Sequence, residues 1–190
     1  MIDQLITYDR ELFLYLNNLG SLPWDPFWLL ITDKWTAIPL YAVLLFLIYK
    51  KLGVKGTLIT MVLVALMITC TDQLANLFKH GFERPRPCGQ EGVMEYTRFI
   101  AVRCGRFGYF SAHAASSTAL AIFVGLILKR FFPKLIYFLL IWALIVTYSR
   151  IYVGVHYPLD VITGMFFGTL LGLIFAYLHK FSLQKFKITF

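Results

Sequence analysis

The chain has 190 residues, of which 59% are hydrophobic and only 15% are charged. An ordinary soluble domain is roughly 45–50% apolar and about 25% charged, so this composition excludes a soluble globular fold. The length suits one domain covering residues 1–190. We therefore predict an all-α fold, a polytopic membrane helical bundle with about five transmembrane helices and an amphipathic interfacial helix at the N-terminus.

The first 20 residues are predicted to form a helix that lies on the membrane surface. Its apolar side chains recur at helical spacing, and they are Leu5, Tyr8, Leu12, Leu16 and Leu19. The polar residues on the opposite face are Asp3, Thr7, Arg10 and Asn17. A linker at 21–26 ends this helix. Nearby tryptophans are predicted interfacial anchors, and they are Trp24, Trp28 and Trp35.

Five later segments are apolar and about long enough to cross a bilayer, which requires roughly 17–25 residues. They cover about 33–49, 57–78, 112–128, 135–149 and 159–178. Pro39 is expected to kink the first of them mildly. Asp72 is an ionisable residue well inside a span, and such residues usually face a partner or a cavity. It shares a helical face with Lys79, so we expect Asp72 to steady Lys79 or a neighbouring helix.

Charge is distributed unevenly between the two ends of these spans. One end carries nine basic residues and no acidic ones, namely Lys50, Lys51, Lys55, Lys129, Arg130, Lys134, Lys180, Lys185 and Lys187. The positive-inside tendency puts this end, with the C-terminus, on the cytoplasmic side of the membrane that holds the bundle. The net charge of +8 therefore reflects the orientation of the spans in the membrane and is not read as a nucleic-acid-binding surface. The sequence contains no nucleic-acid-binding motif.

The unusual polar residues collect at the opposite end, which would face the periplasm or the cell exterior. One cluster lies in the segment 79–111 after the second span, one opens the third span, and one bridges the fourth and fifth spans. Segments distant in sequence thus meet on one face, as an active site requires.

Three patterns in these clusters resemble the signature motifs of the phosphatidic acid phosphatase type 2 superfamily. The first is KxxxxxxRP, from Lys79 to Pro87. The second is Phe110-Ser-Ala-His113, a variant of PSGH that lacks the family's proline and glycine. The third is SRxxxxxHxxxD, from Ser149 to Asp160. The resemblance implies an integral membrane enzyme that removes phosphate from lipid phosphates through a phosphohistidine intermediate.

The resemblance also assigns a role to each motif residue. His156 would attack phosphorus, Asp160 would hold its ring in the reactive tautomer, and His113 would protonate the departing oxygen. The predicted phosphate-binding residues are Lys79, Arg86, Ser111, Ala112 and Arg150. The three basic residues supply positive charge, and the other two offer a hydroxyl and the N–H groups of a helix N-terminus.

No metal or other cofactor is expected, because three strong cations around the two histidines would repel zinc. The expected partners are the lipid phosphate substrate and membrane lipids, without nucleic acid or an obligate protein partner. Undecaprenyl diphosphate is the leading substrate, because the chain resembles a small bacterial member of the family that recycles this carrier at the cytoplasmic membrane. Phosphatidylglycerol phosphate, phosphatidic acid and lipid A phosphates remain open. The alternative from another class is a non-enzymatic anion-binding membrane protein, either a lipid-phosphate sensor or part of a transporter.

Several charged residues lie outside the motifs. The arginines among them are interpreted as solvated loop residues or headgroup contacts, and they are Arg84, Arg98, Arg103 and Arg106. Glu83, Asp33 and Lys34 receive no role.

Two of the three cysteines could form a disulfide. Cys88 and Cys104 both lie in the outer segment, where an oxidising compartment would permit the bond, whereas an anaerobic host would leave both thiols free. A bridge closing a loop of this length would contribute roughly 3 kcal/mol of stability. Cys70 lies in the second span and is interpreted as a small packing residue.

Overall fold

The computed structural model describes residues 2–186, and this part of the chain is helical and without β-strands. The main helices are α1 (Ile2–Asn18), α2 (Asp25–Thr32), α3 (Ile38–Phe82), α4 (Ala112–Ile127), α5 (Leu135–Tyr152) and α6 (Pro158–Lys185). Short 3-10 helices cover Leu22–Trp24, Lys34–Ala37, Pro87–Gly89 and Met94–Tyr96. The predicted all-α class is confirmed. Met1 and Lys187, which the predicted interfacial helix and basic end included, lie outside the described residues.

The first two predicted spans are joined in one long helix, α3. Gly53, with φ of +63°, breaks the helical conformation and divides α3 into two arms, 38–52 and 54–82. Glycine adopts this φ at little cost because it has no Cβ. Pro39 lies in the first turn of α3, where its missing N–H costs nothing, so the predicted kink is wrong. Asp33 instead caps the short helix before α3, its carboxylate accepting from the Trp35 N–H at 3.1 Å.

Three helical stretches of the described chain are long and apolar enough to cross a membrane. They are Lys34–Phe82, Leu135–Tyr152 and Pro158–Lys185, and the first has 49 residues, which suffices for two crossings. α4 is apolar but has only 16 residues. It lies inside the bundle, with Ala115, Ala119 and Phe123 fully buried, which explains why a short helix suffices there.

A stripe of glycines brings α6 into close contact with α4. A Cβ built on Gly168 would lie 2.3 Å from the carbonyl oxygen of Ala115, and one on Gly164 would lie 2.6 Å from that of Ser111. Gly172 continues the stripe one turn further along. Small residues at this spacing let two membrane helices approach until their backbones touch. The beginning of α4 is thereby fixed against the beginning of α6.

Contacts at the other end of the bundle bring the predicted basic residues together. The Lys51 ammonium lies 5.3 Å from the ring centroid of Phe131, next to the connection between α4 and α5. Thr60 and His179 hydrogen-bond at 2.9 Å, which holds the last part of α6 against α3. The Gly53 turn, the α4–α5 connection and the end of α6 therefore share one end.

The N-terminal helix packs on the protein through a face that was not predicted. Phe13 and Asn17 are fully buried. The Asn17 amide donates to the carbonyl oxygens of Ile151 and Tyr152 at 3.0 and 2.9 Å, so its placement on a polar outer face is wrong. The apolar side chains that remain exposed are Leu5, Tyr8, Leu12 and Leu19.

The three tryptophans have different surroundings. Trp24 and Trp35 are 60% and 65% exposed, as interfacial anchors would be. Trp28 stacks on Tyr152 with ring centroids 5.0 Å apart and packs edge-on against Tyr148. Trp28 is therefore a packing residue between α2 and α5, and its predicted role as an anchor is wrong.

Candidate active site

His156 and Asp160 form a buried pair where α5 connects to α6. Pro158 opens α6, which puts Asp160 in the first turn, as the sequence predicted. The Asp160 carboxylate accepts the Tyr157 N–H at 3.0 Å. The Nδ1 atom of His156 lies 3.4 Å from Asp160 Oδ2 and has no hydrogen-bond partner within the described residues. The carboxylate is thus positioned to orient the ring.

Three cations converge on this histidine. Burial, followed by the charges of Arg86, Arg150 and Lys79, holds the pKa of His156 well below its ordinary value. A neutral ring at physiological pH keeps the lone pair that a nucleophile needs. The cations come from three different segments, so the expected convergence of the motif residues is observed.

Each arginine of the group is held by a neighbouring segment. The Arg86 Nε donates to the Phe107 carbonyl at 3.0 Å. Arg150, in the last turn of α5, donates to the Thr32 hydroxyl. Its Nε is buried without a hydrogen-bond partner among the described residues, so one donor remains for an oxyanion. Such preorganised donors are the main requirement of phosphoryl transfer.

The N-terminus of α4 supplies the remaining motif residues. Ser111 is the N-cap, and its hydroxyl oxygen accepts the Ala114 N–H at 3.4 Å. Its own N–H donates to the Asp160 carbonyl at 3.0 Å, which ties α4 to the pair on α6. Ala112 begins the helix, and His113 follows it at the end of a large cavity. The predicted helix start at this motif is confirmed.

The cavity runs from His113 between α3 and α4 and has a volume of about 600 Å³. Its walls are mainly apolar and include Tyr41, Leu44 and Leu120. Asp72 lines it as well, which confirms that this residue faces a cavity, while its expected effect on Lys79 stays a prediction. Asp33 and Lys34 also line it, which was not predicted.

Two further charged residues belong to the surroundings of Asp160, one in direct contact with it and one through the first, and sequence reasoning did not identify them. Arg84 donates to Asp160 Oδ1 at 2.8 Å and to Asp9 Oδ2 at 2.5 Å. Asp9 is on α1 and is buried, with its other oxygen accepting the Leu159 N–H at 2.8 Å. The interpretation of Arg84 as a solvated residue is therefore wrong. The spacing of Asp9, Phe13 and Asn17 along one helical face was the signal that could have indicated this burial.

The other arginines divide into two kinds. Arg98 forms an ion pair with Asp25, so its interpretation as a solvated or headgroup residue is wrong. Its backbone N–H donates to Asn17 Oδ1 at 2.7 Å, which links the outer segment to α1. Arg103 and Arg106 are exposed, as expected.

A disulfide joins Cys88 and Cys104, with their Cα atoms 5.9 Å apart, so the structure contains the bridge that the sequence left open. It closes the outer segment beside an isolated β-bridge between Pro85 and Phe107. Both features fix the position of Arg86 relative to α4. Cys70 is exposed on α3, and its interpretation as a packing residue inside the bundle is wrong.

Over residues 2–186, no group of three or more His, Cys, Asp or Glu side chains is arranged to hold a metal ion. The site instead combines two histidines, one carboxylate and three cations. This donor set suits a phosphate group, which the cations would hold by charge-assisted hydrogen bonds.

Comparison with known proteins identifies the family. The model of the PAP2 superfamily matches residues 55–183. The chain belongs to the PAP2 superfamily. It is therefore a membrane lipid phosphatase, because PAP2 phosphatases of this kind hydrolyse lipid phosphate esters.

Curated relatives differ in the substrate that their names indicate. The chain is 35% identical to a lipid A 4'-phosphatase of Bacteroides thetaiotaomicron over 96% of its own length and 82% of the relative's. It is 33% identical to a lipid A 4'-phosphatase of Porphyromonas gingivalis, over 90% of this chain and 72% of the relative. An undecaprenyl-diphosphatase of Sulfolobus acidocaldarius is 30% identical over 88% of this chain and 76% of the relative.

Two solved structures share the fold. LpxE of Aquifex aeolicus aligns with a TM-score of 0.67 at 26% identity, over 87% of this chain and 92% of that one. A PAP2 type phosphatidylglycerolphosphate phosphatase of Bacillus subtilis aligns with a TM-score of 0.74 at 18% identity, over 93% of this chain and 87% of that one. The bundle described above is thus the fold of PAP2 membrane phosphatases.

Proposed function

We propose that this PAP2 enzyme is a single membrane phosphatase domain that removes the phosphate of a lipid A-type phosphomonoester without a metal, at the outer face of a bacterial cytoplasmic membrane. The observation that carries the proposal is the buried His156 beside Asp160, with Lys79, Arg86 and Arg150 around it. An apolar cavity of about 600 Å³ begins next to this group, where a lipid substrate needs room for its chains.

The reaction proceeds in two displacements. His156 attacks phosphorus, a P–N bond forms, and the P–O bond to the lipid breaks while His113 gives its proton to the departing oxygen. Water then attacks the phosphohistidine, His113 takes back a proton, and the P–N bond breaks to release phosphate. Asp160 orients the nucleophilic ring in both steps.

The three cations and the start of α4 stabilise the charge that develops on the equatorial oxygens. Lys79, Arg86 and Arg150 hold the phosphoryl group throughout, so little reorganisation is needed at the moment of reaction. The Ser111 hydroxyl and the Ala112 N–H add donors at the positive end of the α4 dipole.

The relatives guide the choice of lipid. The two with higher identity are named lipid A 4'-phosphatases, and the chain covers most of their length. This favours a phosphorylated sugar lipid over undecaprenyl diphosphate, the leading substrate from sequence alone. Undecaprenyl diphosphate is the second candidate, and it has the support of a relative at 30% identity.

The orientation rests on two independent observations. The basic residues Lys51, Lys55 and Lys129 lie at the end of the bundle away from the site, and none of the acidic residues joins them. The disulfide between Cys88 and Cys104 lies beside the site, and disulfides persist in oxidising compartments. Both observations support an active site outside the cytoplasm with a cytoplasmic C-terminus.

The test is release of inorganic phosphate by the purified protein in detergent with excess chelator. Lipid A, undecaprenyl diphosphate, phosphatidylglycerol phosphate and phosphatidic acid are assayed side by side, with His156→Ala as the inactive control. Fastest turnover on lipid A supports the proposal. Faster turnover on another lipid replaces the substrate, and activity that the chelator removes excludes the metal-free mechanism. Binding without turnover on any lipid would favour the sensor alternative.

A further inference from the structure

The N-terminal helix reaches the active site through one buried carboxylate. Asp9 accepts the Leu159 N–H at 2.8 Å and the Arg84 guanidinium at 2.5 Å. The same guanidinium donates to Asp160 at 2.8 Å, on the oxygen that does not approach His156. An unbroken chain of contacts therefore runs from α1 to the nucleophile.

We propose that Asp9 is a positioning residue for this reaction, acting through Arg84 on Asp160 and hence on His156. The proposal rests on the nucleophilic role of His156 given above. The contacts of Asp9 are with Arg84 and the Leu159 N–H, so its contribution lies in where Asp160 points and how much negative charge Asp160 presents to the ring.

The charge that Asp160 presents to His156 depends on Asp9. Arg84 carries one positive charge and divides its hydrogen bonds between two carboxylates, Asp9 and Asp160. With Asp9 ionised, Asp9, Arg84 and Asp160 together carry a net charge of −1. This negative charge is available to orient the His156 ring among the cations. If residue 9 were neutral, Arg84 would pair with Asp160 alone and neutralise it. The ring would then lose the charge that fixes its tautomer.

The position of the Asp160 carboxylate depends on Arg84 as well. Asp160 Oδ2 is held by the Tyr157 N–H, while Oδ1 is held by Arg84. The Arg84 guanidinium also stacks on Tyr157, 4.1 Å from the ring centroid. Asp9 holds the far end of that guanidinium, so removing its carboxylate lets Arg84 shift toward Asp160 and changes the direction from which it holds Oδ1.

The burial of Asp9 also supports a role beyond docking. Asp9 is 5% exposed, and burial raises the pKa of its carboxyl, while Arg84 and the Leu159 N–H favour the charged form. A buried carboxylate is costly for a helix that only needs to dock. Docking has contacts of its own, because Phe13 packs edge-on against Tyr157 at 5.3 Å.

The test compares kcat and KM in detergent for Asp9→Asn, Arg84→Gln and the double variant. Partners that orient a catalytic group typically contribute about ten- to a hundredfold in rate, so Asp9→Asn should lower kcat by that factor with KM nearly unchanged. Because Asp9 acts through Arg84, Asp9→Asn should cause no further loss of kcat in the Arg84→Gln background.

Two matched controls separate positioning from folding. Asp25→Asn breaks a carboxylate–arginine pair, with Arg98, that does not contact Asp160, so it should leave kcat at the wild-type value. Phe13→Leu loosens the docking of α1 and should lower the thermal midpoint without lowering kcat. If Phe13→Leu lowers kcat as much as Asp9→Asn does, docking alone explains the effect and the proposal is wrong.

Other outcomes are equally decisive. Equal losses from Asp9→Asn in the wild-type and Arg84→Gln backgrounds would overturn the coupling through Arg84. If Asp9→Asn does not purify as a folded protein, the test uses Arg84→Gln alone. An unchanged kcat in Arg84→Gln refutes the proposed coupling from Asp9 to Asp160. Turnover by His156→Ala would instead refute the proposed function, which keeps the two failures distinguishable.

Discussion

Replacing Gly168 by alanine should displace α4 from α6 and lower activity without abolishing the fold. The new Cβ would lie 2.3 Å from the Ala115 carbonyl oxygen, whereas non-bonded atoms rest about 3.5 Å apart, so the helices must separate by about 1 Å. Overpacking of this kind costs about 1–3 kcal/mol. Because α4 carries His113 and α6 carries Asp160, the displacement reaches the site, where about 1 Å of misplacement can lower the rate about 100-fold.

The assay is kcat for phosphate release, measured with the midpoint of thermal unfolding in the same detergent. Gly81→Ala is the matched control, because a Cβ there meets nothing within 4 Å and the residue also lies in a helix. It should equal the wild type in rate and be at least as stable. If Gly168→Ala keeps the wild-type kcat and midpoint, the close approach of α4 and α6 does not position the site.

Three further predictions concern the pair, the disulfide and pH. Asp160→Asn should fold normally and lower kcat by as much as about 10⁴-fold, as loss of an orienting carboxylate does elsewhere; a loss under tenfold would contradict its role. Replacing Cys88 and Cys104 together by serine should lower the free energy of unfolding by about 3 kcal/mol, while Cys70→Ser, at an exposed free thiol, should not. The pKa of His156 is depressed in the folded protein, so the folded protein does not protonate this ring as pH falls below about 6.5. The unfolded chain does bind the proton, and acid therefore lowers the free energy of unfolding. The thermal midpoint should therefore drop less between about pH 7 and about pH 5 in His156→Gln than in the wild type; an equal drop would contradict this account.

The candidate site residues could be named from sequence because their spacing resembles that of the family's three motifs, and helix signals placed some of them. Asp160 falls in the first turn of α6 because Pro158 opens that helix, and both residues are visible in the sequence. Ser111 precedes an apolar run, which predicts a helix start at this position, and the structure shows Ser111 as the N-cap. The apolar runs also located the spans, although Gly53 made one long helix of the first two.

The missed residues are those whose partners lie far away along the chain. Arg84 and Asp9 are 75 positions apart, and neither matches a motif, so periodicity could not pair them. Asn17 was placed on an outer face because helical spacing alone ranks a polar side chain as solvated. The fold buries it, since its amide donates to the carbonyls of Arg98, Ile151 and Tyr152. Pairing of this kind depends on tertiary contacts that a single sequence does not encode locally.

The cavity between α3 and α4 is open along its side. Wall residues Tyr41, Leu45 and Met61 are 42%, 40% and 49% exposed, so a lipid can reach His113 sideways from the bilayer without passing through water. Encounter between enzyme and substrate then takes place in two dimensions. Turnover below saturation would follow the mole fraction of substrate among the surrounding amphiphiles, so adding inert lipid at a fixed amount of substrate would slow the enzyme by dilution within the surface.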